Sequence, residues 1–444
     1  MFIQILVKPK KRFIWTRLKR WVILFLIFCL GNIIVFKGIS FNQIVALEPP
    51  NTPIPASLFG MHIHRITKTT PWPVIPFATW RLWDAYVAWP NLEPKKDEWH
   101  FELLDKYVSL ASKHHVEVLL PLGLSPAWAS ARPTEPSAYS PGFAAEPRDI
   151  ENWRNYVRTV ATRYKGRIHY YEIWNEPNLR KFYSGTVGQM ERLAREAYLI
   201  LKQIDPSIVV VSPAATGDGT GPSWLERYLS KGGGKYADVV GYHFYVVPHP
   251  PETIVPLVRK VQPIMAKNGI GNKPLWNTEA GWVIAGSRGS VDPKRVGFSE
   301  KTNVLNADEA AAYVARSFIL GWATGLKRFY WYAWDNQAMG LTEVDGTTIK
   351  PPAIAYAETQ KWLVGAKMTE CKSDSEETWT CQLTRSGDYT AWIVWNPKRK
   401  LTFKVPRAWR IHQVKNLTGN RRKLANLKRL KIGHSPLLLE RSVL

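Results

Sequence analysis

Residues 170–178 read YYEIWNEPN, and residues 274–282 read PLWNTEAGW. Each is a short, aromatic-rich apolar run that leads straight into a glutamate. Pro177, directly after Glu176, cannot continue a strand ladder, so it ends the strand and turns the carboxylate out at its tip. Working outward, the same texture recurs. From residue 58 short apolar runs at 59–65, 79–84, 116–122, 168–174, 208–212, 239–245, 275–278 and 329–334 alternate with stretches of helical period, among them ELLDKYVSLASKHH, NWRNYVRTVATRYKG and DEAAAYVARSFILGWATG. Eight strands with helical crossovers predict an α/β fold, a closed (β/α)8 TIM barrel over residues 55–365. The first crossover, TKTTPWPVIPFA, is too rich in proline for a regular helix.

Beyond AIAYAETQKWLVG the pattern changes to alternation of period two in TWTCQLTR, YTAWIVWN, LTFKVP and PLLLE. Residues 366–444 are therefore expected to form an all-β, sandwich-like accessory domain, completed by a strand from residues 48–57. Cys371 and Cys381 flank the polar SDSEE turn there and are the one plausible disulfide pair, since Cys29 lies in an apolar run. Closing so short a loop is worth roughly 3 kcal/mol in the chain-entropy account.

The chain has 444 residues and a formal net charge of +24, but the charge is not spread evenly. Residues 1–20 carry seven Lys/Arg and no acid, and residues 398–444 carry fourteen against one acid, so the remainder is close to neutral. The N-terminal cations precede the run WVILFLIFCLGNIIVF at 21–36, closed by Lys37. A basic flank before an apolar segment is a topology signal. Residues 1–20 are expected to stay cytoplasmic, with 21–39 a transmembrane anchor or a signal segment and the rest exported to the periplasm or cell surface, or secreted if the segment is cleaved. The basic C-terminal region reads as a solvated face or as a contact for an anionic polymer or lipid. Because that charge belongs to an exported part, no nucleic-acid partner is expected.

In a βα barrel the reactive groups stand where strands end, so Glu176 and Glu279 on strands four and seven are the candidate catalytic pair. Acetal cleavage needs two such carboxyls, one to protonate the leaving oxygen and one to attack or to direct water. The abundance of aromatics, 21 Trp with 18 Tyr and 16 Phe, suits stacking on sugar rings, although most of these rings are expected in the core.

IWNEPN and TEAGW resemble the acid/base and nucleophile motifs of the clan of (β/α)8 retaining glycosidases. With RLWD, W-x-x-LEP, LSPAWAS, YHFY and WYAW in order over residues 55–365, the pattern resembles glycoside hydrolase family 39 and its relatives encoded with exopolysaccharide biosynthesis. The resemblance implies Glu176 as acid/base and Glu279 as nucleophile of a retaining β-glycosidase acting on a polysaccharide or oligosaccharide. An aromatic-rich groove suits a chain and so favours endo action, with an exo-acting β-xylosidase-like enzyme the alternative, and no cofactor is expected. By motif, Asn175 would meet the sugar 2-hydroxyl. Tyr245 or His243 would orient Glu279 or meet the sugar, Arg81 would keep Glu279 ionised, and Trp331 or Trp334 would floor the subsite of the cleaved sugar. Glu172, on the same side of its strand as Glu176 but deeper, reads as structural.

Rival chemistries find less support. His62 and His64 share one strand face, yet no cluster of Cys or carboxylates beside them in sequence completes a metal site. The glycines at 217, 219 and 221 and at 232–234 lack a phosphate-loop ending and read as loops near the barrel mouth. There is no G-x-S-x-G serine elbow. A non-catalytic sugar-binding or scaffold barrel remains the alternative from another class.

Overall fold

A computed structural model describes residues 44–286, 293, 302–423 and 428–441. The basic flank and the apolar segment read as an anchor lie outside the described residues, and no described helix is long and apolar enough to cross a membrane.

In chain order the strands are β1 (Val45–Leu47), β2 (Phe59–Met61), β3 (Thr79–Arg81), β4 (Glu117–Leu122), β5 (Tyr170–Ile173), β6 (Val209–Val211), β7 (Ala215–Thr216), β8 (Val240–His243), β9 (Leu275–Ala280) and β10 (Phe329–Trp331). Strands β2 to β10 form one parallel sheet in the order β6-β5-β4-β3-β2-β10-β9-β8-β7. β6 and β7 are two halves of one strand, interrupted around Pro213, and a bridge from Val211 to Val239 joins the two ends of that order. The sheet thus closes on itself as an eight-stranded barrel. Its lower interior is filled by Leu119, Val211, Val239, Trp276 and Tyr330. Below them the Arg328 guanidinium lies between the rings of Tyr170 and Trp276, at 4.1 and 4.2 Å, and pairs with Glu117 at 2.7 Å. The barrel is therefore a packed core, not a pore. Gly60 shows how tight it is, since a Cβ there would come within 2.6 Å of the Tyr330 ring.

The outer helices form where the 3.6-residue period predicts them, at Glu102–Lys113, Ile150–Arg163, Val187–Ile204, Ile254–Lys267, Ala307–Ala323 and Pro351–Leu363. Two are started by full capping boxes, Thr186 with Gln189 and Asn306 with Glu309, which satisfy backbone donors that a helix cannot satisfy itself. The first crossover carries no helix between Thr67 and Ala78. One helix, Gly221–Ser230, was hidden in the sequence, because the glycines before it and Pro222 at its first turn read as a loop.

Whereas β4 ends where expected and β9 runs two residues further, several predicted strands, among them 59–65, 79–84, 239–245 and 329–334, run past the observed ones at their C-terminal ends. There the backbone leaves the regular ladder to present side chains, while single bonds such as His62 N to Trp331 O (3.1 Å) still hold it to its neighbour. After the barrel come β11 (Lys367–Ser373), β12 (Trp379–Thr384), β13 (Thr390–Trp395), β14 (Leu401–Lys404), β15 (Ile411–Lys415), β16 (Arg421–Lys423), β17 (Arg429–Ile432) and β18 (Leu437–Arg441). A seven-stranded sheet, β1-β11-β12-β13-β18-β15-β16, packs against the β14-β17 ribbon. Leu401, Phe403, Leu430 and Ile432 of that ribbon meet Trp392, Val394, Val414 and Leu439 of the sheet. Cys371 and Cys381 are register partners on β11 and β12 and are joined as a disulfide. The extra strand expected at 48–57 is instead β1, antiparallel to β11. Pro49, Pro50, Pro53 and Pro55 lack the N–H groups a ladder needs, which moves the strand to the residues before them.

Candidate active site

The strand tips bring together residues far apart in sequence. At the end of β5, Trp174 and Glu176 both take positive φ, 62° and 46°. For non-glycine residues this costs of the order of 1–3 kcal/mol each and persists only where the surroundings enforce it. They do: Trp174 N donates to Leu122 O at 2.7 Å and Glu176 N to Ala214 O at 2.9 Å, so both flanking strands hold the turned backbone. The result aims Glu176 at Glu279 on β9. One oxygen of each carboxyl and one ring nitrogen of His243 lie within 4.8 Å of one another.

Beneath this pair sits Arg81, which has no exposure to solvent. Its Nε donates to Glu172 Oε2 at 2.5 Å, Nη1 to Glu279 Oε2 at 2.8 Å, and Nη2 to Asn175 Oδ1 at 2.7 Å. Such a fork, with every arm occupied, fixes three acceptors in one plane in a way lysine cannot. Glu172 also accepts from Thr278 Oγ1 at 2.7 Å. Fully buried, it serves as the structural counter-ion. His62 completes the floor, with Nδ1 3.1 Å from Trp331 O and Nε2 3.1 Å from Arg81 Nη1. Burial pushes its pKa well down, so the neutral ring donates to the carbonyl and accepts from Arg81.

The two glutamates have different neighbours. Glu279 accepts from Arg81 on one oxygen and from the Tyr245 hydroxyl at 2.9 Å on the other. Glu176 is hydrogen-bonded to His243 Nδ1 at 3.1 Å and has a hydroxyl partner in Thr216. Burial is the largest influence on both, raising each to about 7. Their contacts decide who holds the proton. A direct guanidinium favours the charged form of Glu279, whereas no described cation touches Glu176 and burial leaves His243 neutral, at about 4. Glu176 is the protonated partner and Glu279 the ionised one.

Of the residues read from sequence, Glu176, Glu279, Arg81, Asn175, His243 and Tyr245 converge here. Tyr245 contacts Glu279, while His243 contacts Glu176. Trp331 and Trp334 do not reach the site. Both are buried in the core, with Trp331 stacked on Trp282 at 5.8 Å, because these two side chains point away from the mouth and the aromatic between them, Tyr332, points into it. Sequence reasoning missed Tyr332, Tyr139, Thr216 and Asp84. Asp84 ends the quoted RLWD motif, which was the available signal.

A family model described as "Glycosyl hydrolases family 39" matches residues 81–280, the stretch that holds Arg81, Asn175, Glu176, His243, Tyr245 and Glu279. Over this stretch the barrel resembles the family 39 glycoside hydrolases. A β-xylosidase of Caldicellulosiruptor saccharolyticus is 28% identical over 133 residues, 27% of each chain. A β-xylosidase of Geobacillus stearothermophilus is 23% identical over 210 residues, 41% of each chain. The chain thus spans well under half the length of these curated relatives. Its fold is shared more widely. A family 39 glycoside hydrolase structure from Bacteroides cellulosilyticus superposes with a TM-score of 0.69 at 20% identity, over 87% of this chain and 81% of that one.

Proposed function

We propose that the protein is a retaining β-glycosidase in which Glu176 is the acid/base and Glu279 the nucleophile. The observation that carries this is the pairing of two buried carboxyls, with oxygens within 4.8 Å, one held by a guanidinium and the other not. Inverting sites keep their carboxyls roughly 6.5–9.5 Å apart to admit a water, and retaining sites about 5–5.5 Å apart. A closest approach within 4.8 Å supports the retaining arrangement over the inverting one.

In the first step a Glu279 oxygen attacks the anomeric carbon and Glu176 gives its proton to the departing oxygen. Arg81 and the Tyr245 hydroxyl hold the attacking carboxylate. Asn175, whose Oδ1 is fixed by Arg81, is left to offer its amide N–H groups to the sugar 2-hydroxyl. In the second step Glu176, now ionised, takes a proton from water, which attacks the same carbon and releases Glu279. Product formed with the anomeric configuration of the substrate, followed by proton NMR during early turnover, tests this reading. Inverted product contradicts it.

The substrate we propose is an extracytoplasmic polysaccharide, cut internally. A cavity of about 510 Å³ at the barrel mouth, lined by Asp84, Tyr139 and Tyr332 though by neither glutamate, supports a chain longer than one sugar. The names of the two relatives, β-xylosidases, carry a second reading, exo-cleavage of a terminal xylose. Early products of oligomeric size favour the first and monosaccharide alone the second. Membrane anchoring rests on the basic and apolar pattern of residues 1–37. Contact with an anionic polymer or lipid rests on exposed cations such as Lys404, Arg429 and Lys431 on the β14-β17 ribbon, where Lys404 and Arg429 are register partners. A reporter fused after residue 60 that is active only outside the cytoplasm supports export.

A further inference from the structure

The cavity at the barrel mouth contains a carboxylate that the two-step reaction does not use. Asp84 follows β3 with φ 54°, a left-handed conformation that turns its side chain into the cavity. Tyr139 Oη donates to its Oδ1 and Tyr332 Oη to its Oδ2, each at 2.6 Å. These tyrosines come from the loop after β4 and from the tip of β10, so Asp84 ties three strand ends together. Tyr332 also ties it to the reacting pair. Its backbone N donates to Ala280 O at 2.9 Å, one residue past Glu279, and its ring lies 5.1 Å from that of His62. An ionised carboxylate offers about four acceptor directions, and the tyrosines take one on each oxygen. One remains on each, and Asp84 is only partly buried, so those directions face the cavity.

Resting on the glycosidase reading, we propose that Asp84 is the specificity-determining carboxylate of this cavity: it accepts hydrogen bonds from sugar hydroxyls and turns away sugars that carry a carboxylate. The charge around it supports selection against anions. Asp335 also borders the cavity, but its carboxylate is buried, accepting from His64 N, Arg65 N and Thr70 Oγ1 and pairing with the Arg65 guanidinium at 3.6 Å. Arg65 donates to Asp335 O at 2.6 Å and to Val344 O at 3.0 Å, and Lys68 Nζ lies over the Tyr86 ring at 4.1 Å. His64, also lining the cavity, is held neutral by burial. A uronate entering here meets the Asp84 carboxylate, with Arg65 already paired to Asp335, whereas a neutral sugar offers hydroxyl donors that match the remaining acceptor directions of Asp84.

The test is binding, measured on the full chain carrying Glu176→Gln so that nothing is hydrolysed. The probes are an array of β-linked neutral oligosaccharides, each paired with its counterpart oxidised at C6 to the uronate. The expected result is that the best neutral member binds at least tenfold more tightly than its oxidised partner. Adding Asp84→Asn should weaken neutral binding roughly tenfold and shrink the gap to about threefold or less. Adding Tyr139→Phe instead, which keeps the charge and removes one tyrosine donor, should leave the gap in place. Equal or tighter binding of uronates, a gap unchanged by Asp84→Asn in a folded variant, or no binding to any member overturns the proposal. Because turnover is not needed, this outcome is independent of whether Glu176 and Glu279 carry out the cleavage.

Discussion

Arg81 Nη1 lies 2.8 Å from Glu279 Oε2, and the same guanidinium reaches Glu172 and Asn175. One side chain on β3 therefore sets the charge of the proposed nucleophile and the position of the residue that precedes the proposed acid. Arg81→Lys keeps a positive charge but loses the fork. We expect kcat/KM to fall roughly 100-fold or more, with the acid limb of the pH profile moving to higher pH as Glu279 loses its direct partner. The variant should also lose about 3 kcal/mol of stability, read by urea unfolding, because buried acceptors are left unpaired. A near wild-type profile would remove Arg81 from the account.

The pH dependence follows from the two raised carboxyls. Activity needs Glu279 ionised and Glu176 protonated, so the optimum should lie near neutrality rather than in the usual carboxylate range. The sign for stability is opposite to that of a salt-bridged acid. A group whose folded pKa is raised adds its full stability below the unfolded value, and that stability is lost as pH rises through the folded value of about 7. Glu176→Gln removes the cost of ionising a buried carboxyl. Its Tm should exceed that of wild type by a few degrees at pH 8 and by little at pH 4. A Tm difference that is the same at both values contradicts the assignment.

Much of this was legible in the sequence, and for a physical reason. The barrel follows from alternating periods of about 2 and 3.6, and the glutamates follow from strand runs that end in Asn175-Glu176-Pro177 and Thr278-Glu279. What was not legible depends on direction. Around Tyr332 the backbone turns so that the tyrosine lines the cavity while Trp331 and Trp334 enter the core, and no spacing rule predicts that choice. Asp84 and Glu176 likewise owe their aim to positive φ, which the sequence does not announce at an Asp or a Glu as it would at a glycine.

Glu176, His243 and Glu279 present donor atoms spaced so that a divalent ion could be held between them. In an acid–base site such an ion competes with the proton of Glu176. Zinc should therefore inhibit, and more strongly at pH 8 than at pH 6, while EDTA leaves turnover unchanged. Loss of activity in EDTA that is restored by metal would replace the acid–base reading with a metal-assisted one.

The most direct measurement separates the two glutamates by what each does at its own step. Glu279→Ala removes the covalent step and should be inactive on every glycoside at which wild type turns over. Glu176→Ala should still form the intermediate from a substrate with an activated aryl leaving group, which needs no proton, and then stall. Azide should restore its turnover and yield a glycosyl azide of retained configuration, because azide attacks the trapped intermediate without needing a base. If azide rescues neither variant, or if Glu176→Ala yields the inverted glycosyl azide and Glu279→Ala the retained one, the roles assigned to the two residues are wrong.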